Sequence, residues 1–309
     1  MTATPADDPL VRYTDPGARR PLPGPLTAGR RDLQATIAEL RTIADADLTR
    51  PWSWIGGGEE EVRYGFYRIS ESFELAGIEA ALALRTVGME RGRATDRIAP
   101  ATAARWDLQG LQITIPDAAW DADPGGGEWT IRQALGHVIE AQRHYGAATA
   151  WWSSKRYRPD DPELPATAPE EIYASLPSES AEGEGTPSEV RDRLDDVLDR
   201  SSEALAGMAS DRLGSGARWS GFAVDIDFRL GRWSSHIREH TIQVEKTLAM
   251  VDHRPTEVDR LVRLVVASWG RAEAAVYGAS NADAAADELA AAAASARITA
   301  ADLTAHARG

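Results

Sequence analysis

The amino-acid sequence predicts an all-α fold, a four-helix bundle with a helical hairpin before it and further helices after it. Three observations carry this. Nearly every long segment repeats its apolar residues at intervals of three and four, the period of a helix surface. Alternating, strand-like runs are scarce. Helix-start chemistry is explicit at Thr186-Pro-Ser-Glu189, where Thr caps, Pro takes the first helical position and Glu completes a capping box.

The elements are taken in chain order. Residues 1–26 are rich in Pro and Gly and read as a flexible arm. A first helix over about 28–48 carries the stripe Leu33, Ile37, Leu40 and Ala44. After the turn at Pro51–Gly58 a second covers about 59–88, giving a hairpin over 27–90, and the polar stretch Arg91–Asp96 separates this hairpin from the next helices. A bundle over 98–250 takes helices at about 99–115, 129–153, 187–210 and 228–250. Its third helix shows Val190, Leu194, Val197, Leu198, Leu205 and Met208 on one face, and residues 156–185 form a long surface crossover. In the C-terminal extension 251–309, a helix at about 256–278 carries Leu261, Val262, Val265, Trp269 and Val276 before an Ala-rich tail, helical in part. One internal echo joins the halves. Gly56-Gly-Gly-Glu-Glu-Glu-Val-Arg63 parallels Gly125-Gly-Gly-Glu-Trp-Thr-Ile-Arg132, which reads either as chance reuse of a Gly-rich turn or, the favoured reading, as a duplicated hairpin whose first copy has Arg68 where the second has His137.

Composition narrows the function. The 309 residues include 48 acidic and 34 basic side chains, for a net charge of -14, which disfavours a nucleic-acid partner. No leader-like or membrane-spanning run occurs, and a cytoplasmic location is expected. Cysteine is absent, so no protein thiolate can act as nucleophile or ligand, and any thiol chemistry needs a thiol brought by a small molecule. The Ala, Arg, Asp and Gly bias is that of a high-GC genome, of the actinobacterial kind.

The histidines carry the chemistry. His236 and His240 lie four residues apart in Arg232-Trp-Ser-Ser-His-Ile-Arg-Glu-His240, about 40° apart on the helix and on the same side as Trp233, Ile237, Val244 and Leu248. Two imidazoles aimed into a core need partners for every nitrogen. A shared metal ion supplies one to both; two separately hydrogen-bonded core histidines are the plainer alternative. His137 is the expected third ligand, because Ala134, Ala141 and Ala148 beside it and His144 leave room for a cavity. Three protein ligands with open positions are the pattern of a catalytic rather than a structural site. Glu239 and Gln243 flank the pair. Glu239 is a candidate general base in the inverted zincin pattern His236-x-x-Glu-His240, although no downstream carboxylate ligand stands out. His144, Tyr145, Trp233 and Gln243 are candidates for cofactor contact, and Trp129 for the pocket wall, though large aromatics on bundle faces more commonly fill the core. A ferritin-like di-iron site is excluded by the order His137-x-x-Glu140.

With these residues in view, the segment 99–250 resembles the DinB-like superfamily of metal-binding four-helix bundles. The match rests on His137 in Glu128-Trp-Thr-Ile-Arg-Gln-Ala-Leu-Gly-His137 and on the pair His236 and His240. The resemblance implies an up-up-down-down bundle and a bound divalent ion, Zn or Ni, with Fe a further option for an all-imidazole set. It also implies thiol-dependent transfer, isomerisation or hydrolysis. From it comes the expectation of a metal-dependent thiol S-transferase, in which a mycothiol-like cofactor attacks an electrophilic small molecule. The alternatives are a hydrolase using metal-bound water and a non-catalytic metal- or small-molecule-binding bundle. The hairpin and C-terminal helices lie outside the resemblance and could complete a degenerate second bundle, enlarge the pocket or form the interface of a homodimer.

Overall fold

The computed structural model describes residues 8–15, 17, 22–54, 57–88, 91–276 and 283–308. Its principal elements are helices: α1 (Pro9–Thr14), α2 (Gly24–Leu40), α3 (Val62–Thr86), α4 (Arg93–Thr114), α5 (Asp117–Trp120), α6 (Ile131–Lys155), α7 (Glu179–Gly183), α8 (Pro187–Leu205), α9 (Ser210–Leu213), α10 (Ile226–Met250), α11 (Glu257–Val276) and α12 (Asp283–Arg308). Two short antiparallel hairpins accompany them: β1 (Pro51–Ser53) with β2 (Glu59–Glu61), and β3 (Gly216–Trp219) with β4 (Phe222–Asp225). The all-α expectation holds. The hairpins escape it because strands of three and four residues are too short to show alternation.

Helices α4, α6, α8 and α10 surround one apolar core, to which Leu108, Leu135, Leu194 and Ile237 contribute. Hydrogen bonds set the helix directions. Arg105 and Gln109 of α4 meet Asp199 and Asp195 of α8 in reverse order, so these two are antiparallel. Arg229 reaches Thr149, Gln142 meets Trp233 and His236, and Thr247 reaches Trp129, so α6 and α10 are antiparallel. Arg93 and Arg97 both pair with Asp227, so α4 and α10 start at the same end. The sequence of directions is therefore up-down-down-up, which corrects the up-up-down-down expectation. The cause lies in the connections: the short link after α4 sends α6 straight back, while the crossover before α8 is long enough to return the chain to the starting end of α6.

A second apolar core is enclosed by α2, α3, α11 and α12, with Phe66, Phe73, Leu261, Trp269 and Leu289 inside it. The segments before and after the first bundle thus form a four-helix assembly with each other. The Ala-rich tail is helical throughout 283–308, and Ala286, Leu289, Ala293, Ala296, Ala300 and Leu303 repeat at helical spacing to fill the seam with α2. The echoed helices α3 and α6 sit one in each bundle. Between the bundles lies an ionic cluster. Buried Arg105 contacts Asp199 at 2.6 Å and the fully buried Glu273 at 2.5 Å; Arg30 bridges the same two carboxylates at 2.7 and 2.6 Å.

Other boundaries differ from expectation for identifiable reasons. The arm expected over 1–26 contains α1, capped by Asp8 and opened by Pro9, whose Tyr13 is buried and donates to the Arg143 carbonyl at 2.9 Å. Residues 1–7, 16 and 18–21 of that arm, and Ile55 and Gly56 of the first turn, lie outside the described residues. The first helix ends at Leu40, leaving Ala44 exposed and Ile43 buried in its place. Helix α4 begins at Arg93, within the expected polar break, and continues through Pro100 because Ala94, Thr95 and Ile98 are buried.

Candidate functional site

Helix α6 presents its first histidine two turns from a firmly set start. Gly125, Gly126 and Gly127 have φ of +79°, +65° and +77°, a left-handed turn that favours glycine. The Thr130 hydroxyl then accepts from the Gln133 N–H at 3.2 Å, and the Gln133 side chain accepts from the Thr130 N–H at 2.9 Å. Helix α10 starts under Asp225, which accepts from the Phe228 N–H at 2.8 Å. Antiparallel packing of the two helices sets His137 opposite His236 and His240.

The three rings converge. Their centroids are 4.4 Å apart for His236 and His240, 4.8 Å for His137 and His240, and 5.4 Å for His137 and His236. One ring nitrogen from each lies within 4.8 Å of the others. Each ring has a partner on its outer side: His240 Nδ1 meets Gln243 Oε1 at 2.6 Å, His137 Nδ1 meets Glu179 Oε2 at 3.1 Å, and His236 Nδ1 meets Gln142 Nε2 at 3.4 Å. The Trp129 ring stacks parallel to His240 at 6.4 Å and lies 5.0 Å from His137.

The donor set fits a divalent ion. Burial, reinforced by the neighbouring His240 and His137, pushes His236 down to about 3, and burial lowers His240 as well, so both stay neutral at ordinary pH and keep a lone pair. His236 Nε2 and His240 Nε2 stand 3.2 Å apart. Two nitrogens at about 2.0–2.1 Å from one tetrahedral ion are separated by about 3.3 Å. His137 stands on the third side, its ring centroid 4.8 Å from that of His240. The Gln142 Oε1 is buried without a partner, and turning that amide over brings an acceptor to His236 Nδ1, the arrangement that leaves Nε2 free.

The remaining candidates are distributed differently from expectation. Gln243 does contact His240. Glu239 does not face the cluster: its carboxylate is 55% exposed and pairs with Arg232 at 3.1 Å, because the next residue along a helix points about 100° away. That removes it as a general base. Trp233 is 1% exposed within the bundle core and does not line the cavity beside Tyr145. The open space also lies elsewhere. A cavity of about 580 Å³ is lined by His144, Tyr145 and Ala148 rather than by His137. Tyr145 separates the two regions, its ring 5.2 Å from that of His236. His144 forms cavity wall, with Nδ1 on Glu140 at 2.8 Å and its ring edge-on to Tyr173.

Sequence reasoning missed Glu179, which sits on α7 in the crossover. That segment packs against α6, where Glu182 is buried and pairs with Arg143 at 2.5 Å. The signal was the Ser178-x-x-Ala181 cap, with the Ser178 hydroxyl accepting from Ala181 N–H.

Comparison with known proteins places this geometry. No curated protein compared with the chain matches it significantly. Among solved structures, YfiT from Bacillus subtilis, described as a probable metal-dependent hydrolase with an unusual four-helix bundle topology, aligns at 15% identity and a TM-score of 0.41, over 52% of this chain and 87% of that one. The family model of the DinB superfamily matches residues 101–244. Those residues run from α4 into α10 and include all three histidines, so the resemblance drawn from the histidine pattern holds over this segment, which is similar to the DinB superfamily.

Proposed function

We propose that His137, His236 and His240 hold a divalent ion and that the chain is a metal-dependent enzyme transferring a low-molecular-weight thiol, of the mycothiol kind, to an electrophilic small molecule. The observation that carries this is the convergence of three ring nitrogens, two of them on imidazoles kept neutral by burial. An all-imidazole set suits Zn, Ni or Fe. A bound ion would supply Lewis-acid chemistry, acidifying a thiol or water delivered to it.

The protein's own residues do the rest. Gln243 and Glu179 orient the His240 and His137 rings through their outer nitrogens. Trp129 covers one side of the cluster and Tyr145 the other, which limits water. The cavity behind Tyr145 has room for an organic molecule beside the cluster, as transfer to an electrophilic small molecule requires. With no cysteine in the chain, a thiol nucleophile has to come from that molecule.

The test is metal content by mass spectrometry, for the unaltered chain and for His236→Ala/His240→Ala. About one ion per chain, lost in the variant, is expected. The metal-loaded protein should then accelerate loss of monochlorobimane only when thiol is present. Turnover of an ester or amide without thiol would favour the hydrolase, and absence of metal from both proteins would end the enzymatic reading.

A further inference from the structure

The cavity beside the histidines has a charge pattern of its own. Three arginines of this chain are buried among the described residues: Arg105, Arg143 and Arg229. Arg105 faces Asp199 and Glu273, and Arg143 faces Glu182. Arg229 is 5% exposed and faces no carboxylate. Its Nε donates to Thr149 Oγ1 at 3.0 Å and its Nη1 to the Arg218 carbonyl. Its Nη2 has no hydrogen-bond partner among the described residues, and the side chain lines the cavity. Arg218 lines the same cavity and donates to the Leu164 and Pro165 carbonyls at 3.3 Å. No Asp or Glu lines it.

A buried guanidinium without an anion is costly, and the cost shows: burial pulls Arg229 down to about 10. The chain as a whole carries a charge of -14, so carboxylates are plentiful, yet none stands here. The rest of the cavity is aromatic and aliphatic. Trp219 lies under the Arg229 guanidinium at 5.3 Å and against Tyr145 at 4.6 Å, with Trp152, Tyr173 and Ala148 completing the wall. A site with one cationic end and apolar walls recognises a molecule with one anionic end and an apolar body.

We infer that this cavity binds a small organic acid, its carboxylate on Arg229 and Arg218 and its apolar body between Tyr145, Trp152 and Trp219. Arg229 and His236 are seven residues apart on α10, about 10 Å along the helix. An acid anchored at Arg229 therefore extends past Tyr145 toward the imidazoles. The further step, that this acid is the substrate or the thiol carrier of the enzyme, rests on the function proposed above; binding itself does not.

The test is calorimetric titration of the full chain, after chelator treatment, with benzoate, benzamide and phenyl phosphate. Benzoate should bind at least about tenfold more tightly than benzamide, a comparison that needs no substitution. Arg229→Gln should weaken benzoate by at least about tenfold, and Arg229→Lys by less, with the melting temperature measured alongside. His236→Ala/His240→Ala should leave benzoate affinity within about twofold. Equal binding of benzoate and benzamide would overturn the inference. So would benzoate binding that requires added Zn or survives Arg229→Gln, since the carboxylate would then sit on the imidazole-bound ion. Tighter binding of phenyl phosphate by more than about tenfold would reassign the site to phosphate esters. Failure of the metal site is read separately, as absence of metal from the untreated chain.

Discussion

Gly136 offers a direct test of how the crossover serves the histidine cluster. It lies one residue before His137, where α7 crosses α6. A methyl group at this position would meet the Glu179 carbonyl oxygen at 2.5 Å and the Gly183 N and Cα at 3.1 and 3.2 Å. All three are backbone atoms, so no side-chain rotation relieves the overlap. Ordinary carbon-to-oxygen contacts begin at about 3.3 Å, and α7 has to lift by roughly 0.8 Å. The lift carries Glu179, whose carboxylate sits 3.1 Å from His137 Nδ1. Two terms oppose each other in stability. Overpacking costs about 1–3 kcal/mol, while alanine in place of glycine gains about 1 kcal/mol of helix propensity. The net loss is on the order of 1 kcal/mol and is not diagnostic. Metal affinity has no such offset, and losing an outer partner of a ligand histidine typically costs about 10–100-fold. Gly136→Ala should therefore bind Zn about tenfold more weakly in competition with a chromophoric chelator, with urea stability lowered by only about 1 kcal/mol. Glu179→Ala should show the same loss, and the double substitution no more than Glu179→Ala alone, because both act through one contact. Unchanged Zn affinity in Gly136→Ala, or additive losses in the double variant, would refute the reasoning.

Three other outcomes are expected from the structure. Arg105→Met removes one of the two cations on fully buried Glu273, with Arg30 remaining at 2.6 Å, and should cost about 2 kcal/mol, the worth of a hydrogen bond to a charged group; an unchanged urea midpoint would count against it. In the chelator-treated protein, His236 falls from its free value of 6.5 to about 3, so the folded state prefers the neutral ring. Its contribution to stability is complete above pH 6.5 and is lost as pH falls toward 3, and His236→Gln should flatten the stability profile across that window. Thr130→Ala breaks the capping box of α6 and should cost about 1 kcal/mol, seen as a lowered denaturation midpoint; no change would mean that Gln133 holds the helix start alone.

Local chemistry was enough to read the helices, their caps and the histidine pair. Spacing alone puts His236 and His240 on one helix face, and the apolar residues around them say that the face is inward. Thr186 announces its helix because a cap acts within three residues. Everything else depends on non-local paths. The up-down-down-up order comes from where each connection returns the chain, and closure of α2 and α3 with α11 and α12 joins segments that start 195 residues or more apart. Glu179 reaches His137 only because the crossover folds back on α6 over Gly136, which no periodicity encodes. Glu239 lies against Arg232 at the surface for a related reason: a helical wheel gives a direction but not the neighbour that waits there. Arg229 is the extreme case. Its role rests on the carboxylates that are missing around it, and the surroundings of a buried charge are decided only when four helices, a hairpin and a crossover have packed together.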